Sequence, residues 1–379
     1  MGKHLSKYQT QEDYNNNKDN HLKPHVSLIV NPVEQIIFIP EPSYIKYSKE
    51  YFTIENTGSE DLTFQLMKST KAQTVSYMDS ESSDWVDTSK VITVAPQSEL
   101  KLKGTIAPVF SYGIGTFRVS GNTTYNVKGN VMSLLYGDDF SDKTDLTGKD
   151  NAFNVLFRRN TKLVDSSNLI LPATTLASKC YQYMFQDCTS LVSAPELPAT
   201  TLATYCYQYM FEGCTSLVSA PELPATTLDS NCYQSMFQGC TSLVSAPELP
   251  ATTLANYCYD NMFCGCSNLT TAPELPATTL ADHCYYYMFS SCTSLTTAPE
   301  LPATTLADYC YRYMFSNCSK LNNITMLATD ISAKECLYYW VNNVSSSGTF
   351  IKHPSMTKLS TGISGIPSGW TVEDYSQSA

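Results

Sequence analysis

LPATTLASKCYQYMFQDCTSLVSAPE, from Leu171 to Glu196, decides the reading of this chain. Close variants begin again at Leu197, Leu223, Leu249, Leu275 and Leu301, so six complete units follow one another at a period of 26 residues. A fixed period of this length is the signature of a stacked repeat array. One unit has too little apolar surface to offset the entropy of ordering its own backbone, so neighbours must bury each other's faces.

Within the unit, Leu176, Cys180, Met184 and Cys188 fall four apart and predict one stripe of a short helix. Thr175 is placed to cap that helix. Gly213, Gly239 and Gly265 stand just past it, where a left-handed residue is wanted. SLVSAP then predicts a short strand, stopped by Pro195 and Pro198. The expected rung is one short helix plus one short strand. Degraded units flank the array. NAFNVLFRRNTKLVDSSNLILP, from Asn151, puts Phe157 and Asn160 where Phe185 and Cys188 stand, and LATDISAKECLYYWVNNV, from Leu327, keeps Cys336 but carries Trp340-Val341 in place of Met-Phe.

Upstream the pattern changes to short alternating runs: VSLIV, IIFI, YFTIEN, LTFQL, VITV, ELKLKGTI, GTFRV, TTYNV and NVMSLLY. Period-two alternation broken by Gly, Asn and Pro turns predicts an antiparallel, Ig-like sandwich. The expected organisation is a docking arm at 1–24, the sandwich at 25–135, a linker and cap repeat at 136–170, the six-repeat solenoid at 171–326, and a C-terminal cap and tail at 327–379. The fold class is thus multidomain, all-β followed by an α/β repeat solenoid.

Charge and composition narrow the function. The 379 residues carry a net charge of −11, and no run of Lys or Arg exceeds two. A phosphate-neutralising stripe is missing, which argues against nucleic acid. No apolar run approaches a membrane span. MGKHLSKYQTQEDYNNNKDN lacks the apolar region of a signal peptide, so folding in a reducing cytosol is expected. Gly2 and Ser6 fit a myristoylation pattern that also matches often by chance.

All 14 cysteines lie in the repeat region. Their spacing of eight, then eighteen, does not form the close pairs of a zinc site. Asn160 stands where Cys188, Cys214, Cys240, Cys266, Cys292 and Cys318 stand, which suggests a buried structural ladder of small side chains. Disulfides remain a second reading. Cys264, at a position otherwise filled by Gln, Glu or Ser, is expected to be exposed. The recurring Glu196, Glu222, Glu248, Glu274 and Glu300 read first as a solvated turn, with a cation row or a carboxylate pair as rivals. No catalytic or cofactor motif is found and the five histidines form no spaced set, so no enzyme, metal or cofactor is expected.

The repeats do offer tyrosines. Tyr181, Tyr207, Tyr233, Tyr259, Tyr285 and Tyr311 adjoin a ladder cysteine and read as packing. Tyr183, Tyr205, Tyr209, Tyr257, Tyr287, Tyr309 and Tyr313 vary between rungs and are the candidate exposed binding face.

LPATTL…CY..MF..CTSL..APE resembles the BspA-like leucine-rich repeats of gut Bacteroidales and their phages, over residues 145–375. SKYQTQEDYNNN…PHVSLI and GNVMSLLYGDDF resemble structural proteins of Bacteroides phages, including crAss-like phages. The resemblance implies a right-handed leucine-rich-repeat solenoid, surface exposure and adhesion. It points to a virion protein, a head or tail fibre or decoration made in the host cytoplasm. Residues 1–40 would dock on other virion proteins, and the solenoid would meet host surface glycan or protein. A homo-oligomer is plausible; neither nucleic acid nor membrane is an expected partner. A bacterial cell-surface adhesin with the same repeats is the alternative.

Overall fold

A computed structural model describes residues 49–66, 75–80, 84–88, 91–105 and 117–376, and the backbone of two strands, β1 (Val26–Val30) and β2 (Ile36–Pro40). The arm expected at 1–24 lies outside the described residues. β1 and β2 pair antiparallel with each other, Leu28 opposite Phe38. They fall in a unit of their own, Met1–Tyr47, while Ser48–Ala379 form a second compact unit. The sandwich expected to start at residue 25 therefore has no strand before residue 52 in this second unit.

The second unit opens with two sheets. Strands β3 (Phe52–Asn56), β5 (Val75–Asp79), β6 (Val86–Thr88), β8 (Glu99–Gly104) and β10 (Tyr125–Asn130) build one, in the order β10-β3-β8-β5-β6. Strands β4 (Leu62–Leu66), β7 (Ile92–Val94) and β9 (Phe117–Ser120) build the other, in the order β7-β4-β9. Alternation puts Phe52, Ile54, Leu62, Phe64, Leu100 and Leu102 inside. Phe117 joins the two sheets, its ring 5.7 Å from Phe52 and 4.9 Å from Phe64.

NVMSLLY does not form the closing strand expected of it. The Asn130 side chain accepts the Met132 N–H at 2.9 Å, a local turn that ends the strand. A four-residue helix, α1 (Ser133–Tyr136), follows, and Ser133 Oγ is held between the Phe52 N–H and the Leu102 carbonyl. Gly129 is required here: its φ is +76°, and a Cβ would meet the Tyr51 carbonyl oxygen at 2.1 Å.

The sheet passes directly into the repeats. Strands β11 (Leu163–Asp165) and β12 (Leu169–Ile170) of the degraded first unit pair parallel to β10. Phe157 lies 5.9 Å from both Phe52 and Phe117, and 5.2 Å from Phe185 of the first full repeat. From there one phenylalanine column runs through Phe211, Phe237, Phe263, Phe289 and Phe315 at spacings of 5.3 to 5.7 Å, and ends on Trp340 at 6.1 Å. Tyr181, Tyr207, Tyr233, Tyr259, Tyr285 and Tyr311 form a second buried column beside it.

The rungs carry no helix. The N–H groups of Tyr181, Tyr183, Phe185 and Asp187 donate to Cys206, Gln208, Met210 and Glu212 of the next rung, at 2.8 to 3.0 Å. The residues between them, Gln182, Met184, Gln186 and Cys188, donate three residues back within their own rung, at 3.0 to 3.3 Å. Every fourth residue is left-handed: Lys179 at φ 59°, Tyr183 at 58°, Asp187 at 60°. Each rung is thus a train of four-residue turns, half hydrogen-bonded internally and half to its neighbour. The stripe expected from Leu176, Cys180, Met184 and Cys188 is real, and all four are buried, but its helical reading is wrong. In an α-helix four residues advance about 400°, so a strict period of four would drift by about 40° per step. Turns that close on exactly four residues hold the stripe in line.

Two further expectations change with it. Thr175 caps nothing; it makes parallel bridges to Asp145 and Thr201. The strand expected at SLVSAP shrinks to isolated bridges such as Asp165–Ser193 and Ser245–Thr271. The glycines are left-handed as expected (Gly213 at 70°), but as the last of a rung's three left-handed residues and not as helix caps.

At the far end β13 (Asn323–Met326), β14 (Thr349–Lys352) and β15 (Thr371–Asp374) form a parallel sheet that covers the last rung. Trp340 Nε1 donates to the Gly365 carbonyl at 2.9 Å and Trp370 Nε1 to Ser345 at 2.7 Å, which pins this cover in place.

Candidate functional site

The cysteine ladder is a structural device. Cys188 Sγ donates to the Phe157 carbonyl, Cys214 to Phe185, Cys240 to Phe211, Cys266 to Phe237 and Cys292 to Phe263, each at 3.1 Å, and Cys318 to Phe289 at 3.0 Å. From Phe185 onward, each such carbonyl also accepts the N–H of its own rung's cysteine. Each of these six thiols thus ties one rung to the rung before. Asn160 ends the series by a different route: Nδ2 donates to Phe117 and Phe157, and Oδ1 accepts the Val119 N–H, so the ladder is tied to β9. All 14 cysteines are free thiols in the structure. Burial raises the Cys180 thiol to about 12 and Cys206 well above its ordinary value. Cys264 is half-buried and not exposed as expected, because the neighbouring rung covers it; burial raises its thiol to about 11.

The five recurring glutamates are exposed, as a solvated turn requires. Among the described residues no group of three or more His, Cys, Asp or Glu is placed to hold a metal ion, and no helix is long and apolar enough to cross a membrane.

The seven candidate tyrosines are all half-buried, and they divide into separate groups. Tyr183 and Tyr209 stack at 4.8 Å, with the Arg158 guanidinium 5.2 Å from Tyr183. Tyr205 lies in another column, with Lys179 against its ring. Ser235 and Asn261 interrupt the first column, and Tyr287 and Tyr313 resume it at 4.4 Å. Tyr257 and Tyr309 do not touch each other; His283 is sandwiched between them at 4.3 and 4.4 Å.

A third column, missed from the sequence, lies between these two. In the first rungs it is an amide chain running head to tail. Asn154 donates to Gln182, Gln182 to Gln208, Gln208 to Gln234, and Gln234 to Asp260 Oδ2 at 2.7 Å. Asn261 donates to the other Asp260 oxygen. Asp260 is 4% exposed, and burial pushes its carboxyl up to about 7 against the opposing pull of these two donors.

Beyond Asp260 the column changes to Tyr286, Arg312 and Tyr338. Arg312 lies within cation–π distance of Tyr286, Tyr309, Tyr313 and Tyr338, between 4.8 and 5.9 Å, and forms an ion pair with Glu335. Tyr286 stands at 87° to Tyr313, and Tyr338 at 80°. The last three rungs therefore carry one continuous aromatic surface around an arginine, where the first three carry amides. The predicted Tyr287, Tyr309 and Tyr313 belong to it; His283, Tyr286, Arg312 and Tyr338 were not foreseen. Comparing the residue before each Tyr183-type position from rung to rung would have exposed Tyr286, Arg312 and Tyr338, and His283 stands at the Tyr257 position of its own rung.

Residues 162–296 and 234–346 match the family model of the BspA type Leucine rich repeat region, in six copies. Repeats of this kind suggest a surface or binding protein. Searches of curated proteins and of solved structures give no match.

Proposed function

We propose, from a repeat region of the BspA leucine-rich type, that this protein is a non-enzymatic scaffold that binds through its repeat face. One observation carries the reading. The apolar body of the rung is nearly invariant over six copies, while the columns beginning at Lys179, Gln182 and Tyr183, half-buried to buried, change residue type from rung to rung. Packing accounts for the constancy; a partner accounts for the change. We read the stacked rungs as a leucine-rich-repeat solenoid and the two preceding sheets as an Ig-like sandwich that spaces it from its attachment point.

The finer reading is a phage virion protein, a fibre or decoration of head or tail, docked by residues 1–40 onto other virion proteins. It rests on the likeness of SKYQTQEDYNNN…PHVSLI and GNVMSLLYGDDF to structural proteins of Bacteroides phages. A bacterial cell-surface adhesin is the alternative, favoured by the repeats alone. Mass spectrometry of purified phage particles and of host envelopes separates the two. Peptides at a fixed ratio to the major capsid protein are expected. Recovery from the envelope and not from particles would establish the adhesin.

A further inference from the structure

We propose that the aromatic surface centred on Arg312 is the contact site, and that its partner is an electrically neutral carbohydrate chain. This rests on the binding reading above and names where and what.

Three features define the ligand. First, the apolar surface here comes from tyrosine rings alone. Between residues 249 and 344, Tyr338 is the one exposed large hydrophobic side chain among the described residues. A protein partner seeks pockets for aliphatic and aromatic anchors. This surface instead interleaves rings with hydroxyls, an imidazole and a guanidinium, which suits a molecule with C–H faces and a hydroxyl rim.

Second, the charge is balanced. The Arg312 guanidinium is paired with Glu335, and the chain as a whole carries −11. Lys334, the other cation beside these rings, sits over Tyr309 with Glu335 and Asp308 nearby, so a polyanionic chain would meet acids as well as cations here. Burial works against a charge on the His283 imidazole.

Third, two of the rings are turned across the others. The planes of Tyr286 and Tyr338, nearly perpendicular to the Tyr313 ring, run along the stacking direction. Rungs hydrogen-bonded as these are repeat about every 4.8 Å, close to the advance of one sugar unit in an extended chain. A glycan lying along the rungs would meet Tyr286 and Tyr338 two rungs apart, with Arg312 between them.

The test uses the full chain, fluorescently labelled, on a panel of Bacteroides cells. Some cells are left intact, some oxidised with periodate to destroy vicinal diols, and some shaved with protease. Binding should survive protease and fall about tenfold or more after periodate. The Tyr286→Ala/Tyr338→Ala pair and, separately, Arg312→Gln should weaken binding to intact cells by about tenfold, the loss of roughly 1.4 kcal/mol. Val218→Ala, an exposed side chain outside these columns, should bind as wild type. Thermal melts of each variant verify folding, and Arg312→Gln keeps the site readable if the double variant is unstable. Binding sensitive to protease but not periodate would overturn the carbohydrate and leave the scaffold reading standing. Wild-type affinity in both site variants would place the contact elsewhere. Failure of the wild-type chain to bind any cell in the panel would remove the binding reading itself.

Discussion

Asp260 takes the place that glutamine holds in the three rungs before it, and it ends a run of amides all pointing the same way. The arrangement delivers two N–H donors to a carboxylate that burial disfavours. The carboxyl rises from 3.8 to about 7, so the folded state binds a proton that the unfolded chain has released. Its effect on stability is therefore absent below about pH 4, grows unfavourable as pH rises to 7, and is constant above. Asp260→Gln should raise the melting temperature by a few degrees at pH 8 and change it little at pH 4, which melts across that range will check. The thiols make a second prediction at this scale. With the ladder cysteines buried and Cys264 raised to about 11, a thiol reagent at pH 7.4 should find almost no fast site on native protein and all 14 after denaturation. Rapid labelling of Cys264 would mean that its covering rung opens readily.

The rung shows what a sequence can and cannot disclose about an element. Leu176, Cys180, Met184 and Cys188 mark one buried face, while Phe157 extends the phenylalanine column and Asn160 ties it to β9. The conformation that joins them stayed hidden, because a helix and a train of four-residue turns both bring every fourth side chain to one side. The clue lay in exactness: the spacing never relaxes to three, as a helix of 3.6 residues per turn demands. The left-handed positions were veiled further. Asp187, Asn231 and His283 are residue types that tolerate them, but Tyr205 and Tyr209 are not. Those tyrosines are held there by hydrogen bonds to the adjacent rung, a constraint outside any local window. The tyrosine stacks were legible as columns, whereas Arg312 and His283 were not, because neither recurs and a search by residue type passes over them. The strands at Val75–Asp79 and Val86–Thr88 were missed for a plainer reason: VSYMD and VDT alternate too weakly to stand out.

Across the whole second unit, the phenylalanine column links the first sheet to the C-terminal cover, yet each rung touches only its neighbours. Stability should then be a sum of rung and interface terms. Removing residues 223–248 brings Gln208 against Asp260 and Gly213 against Gly265, the same kinds of contact that existed before. The shortened protein should fold, with native-like circular dichroism and a melting temperature lower by only a few degrees. Removing 345–379 is different, since it uncovers Trp340 and the final rung; that protein should associate, as gel filtration would reveal. Unfolding of the chain on removal of residues 223–248 would sink the nearest-neighbour account. The strict 26-residue register has a further consequence for inheritance. Near-identical copies invite unequal recombination, and here almost any in-frame crossover yields a foldable product. A lineage can thus lengthen, shorten or reshuffle its contact face in one genetic event, without waiting for a new core to evolve.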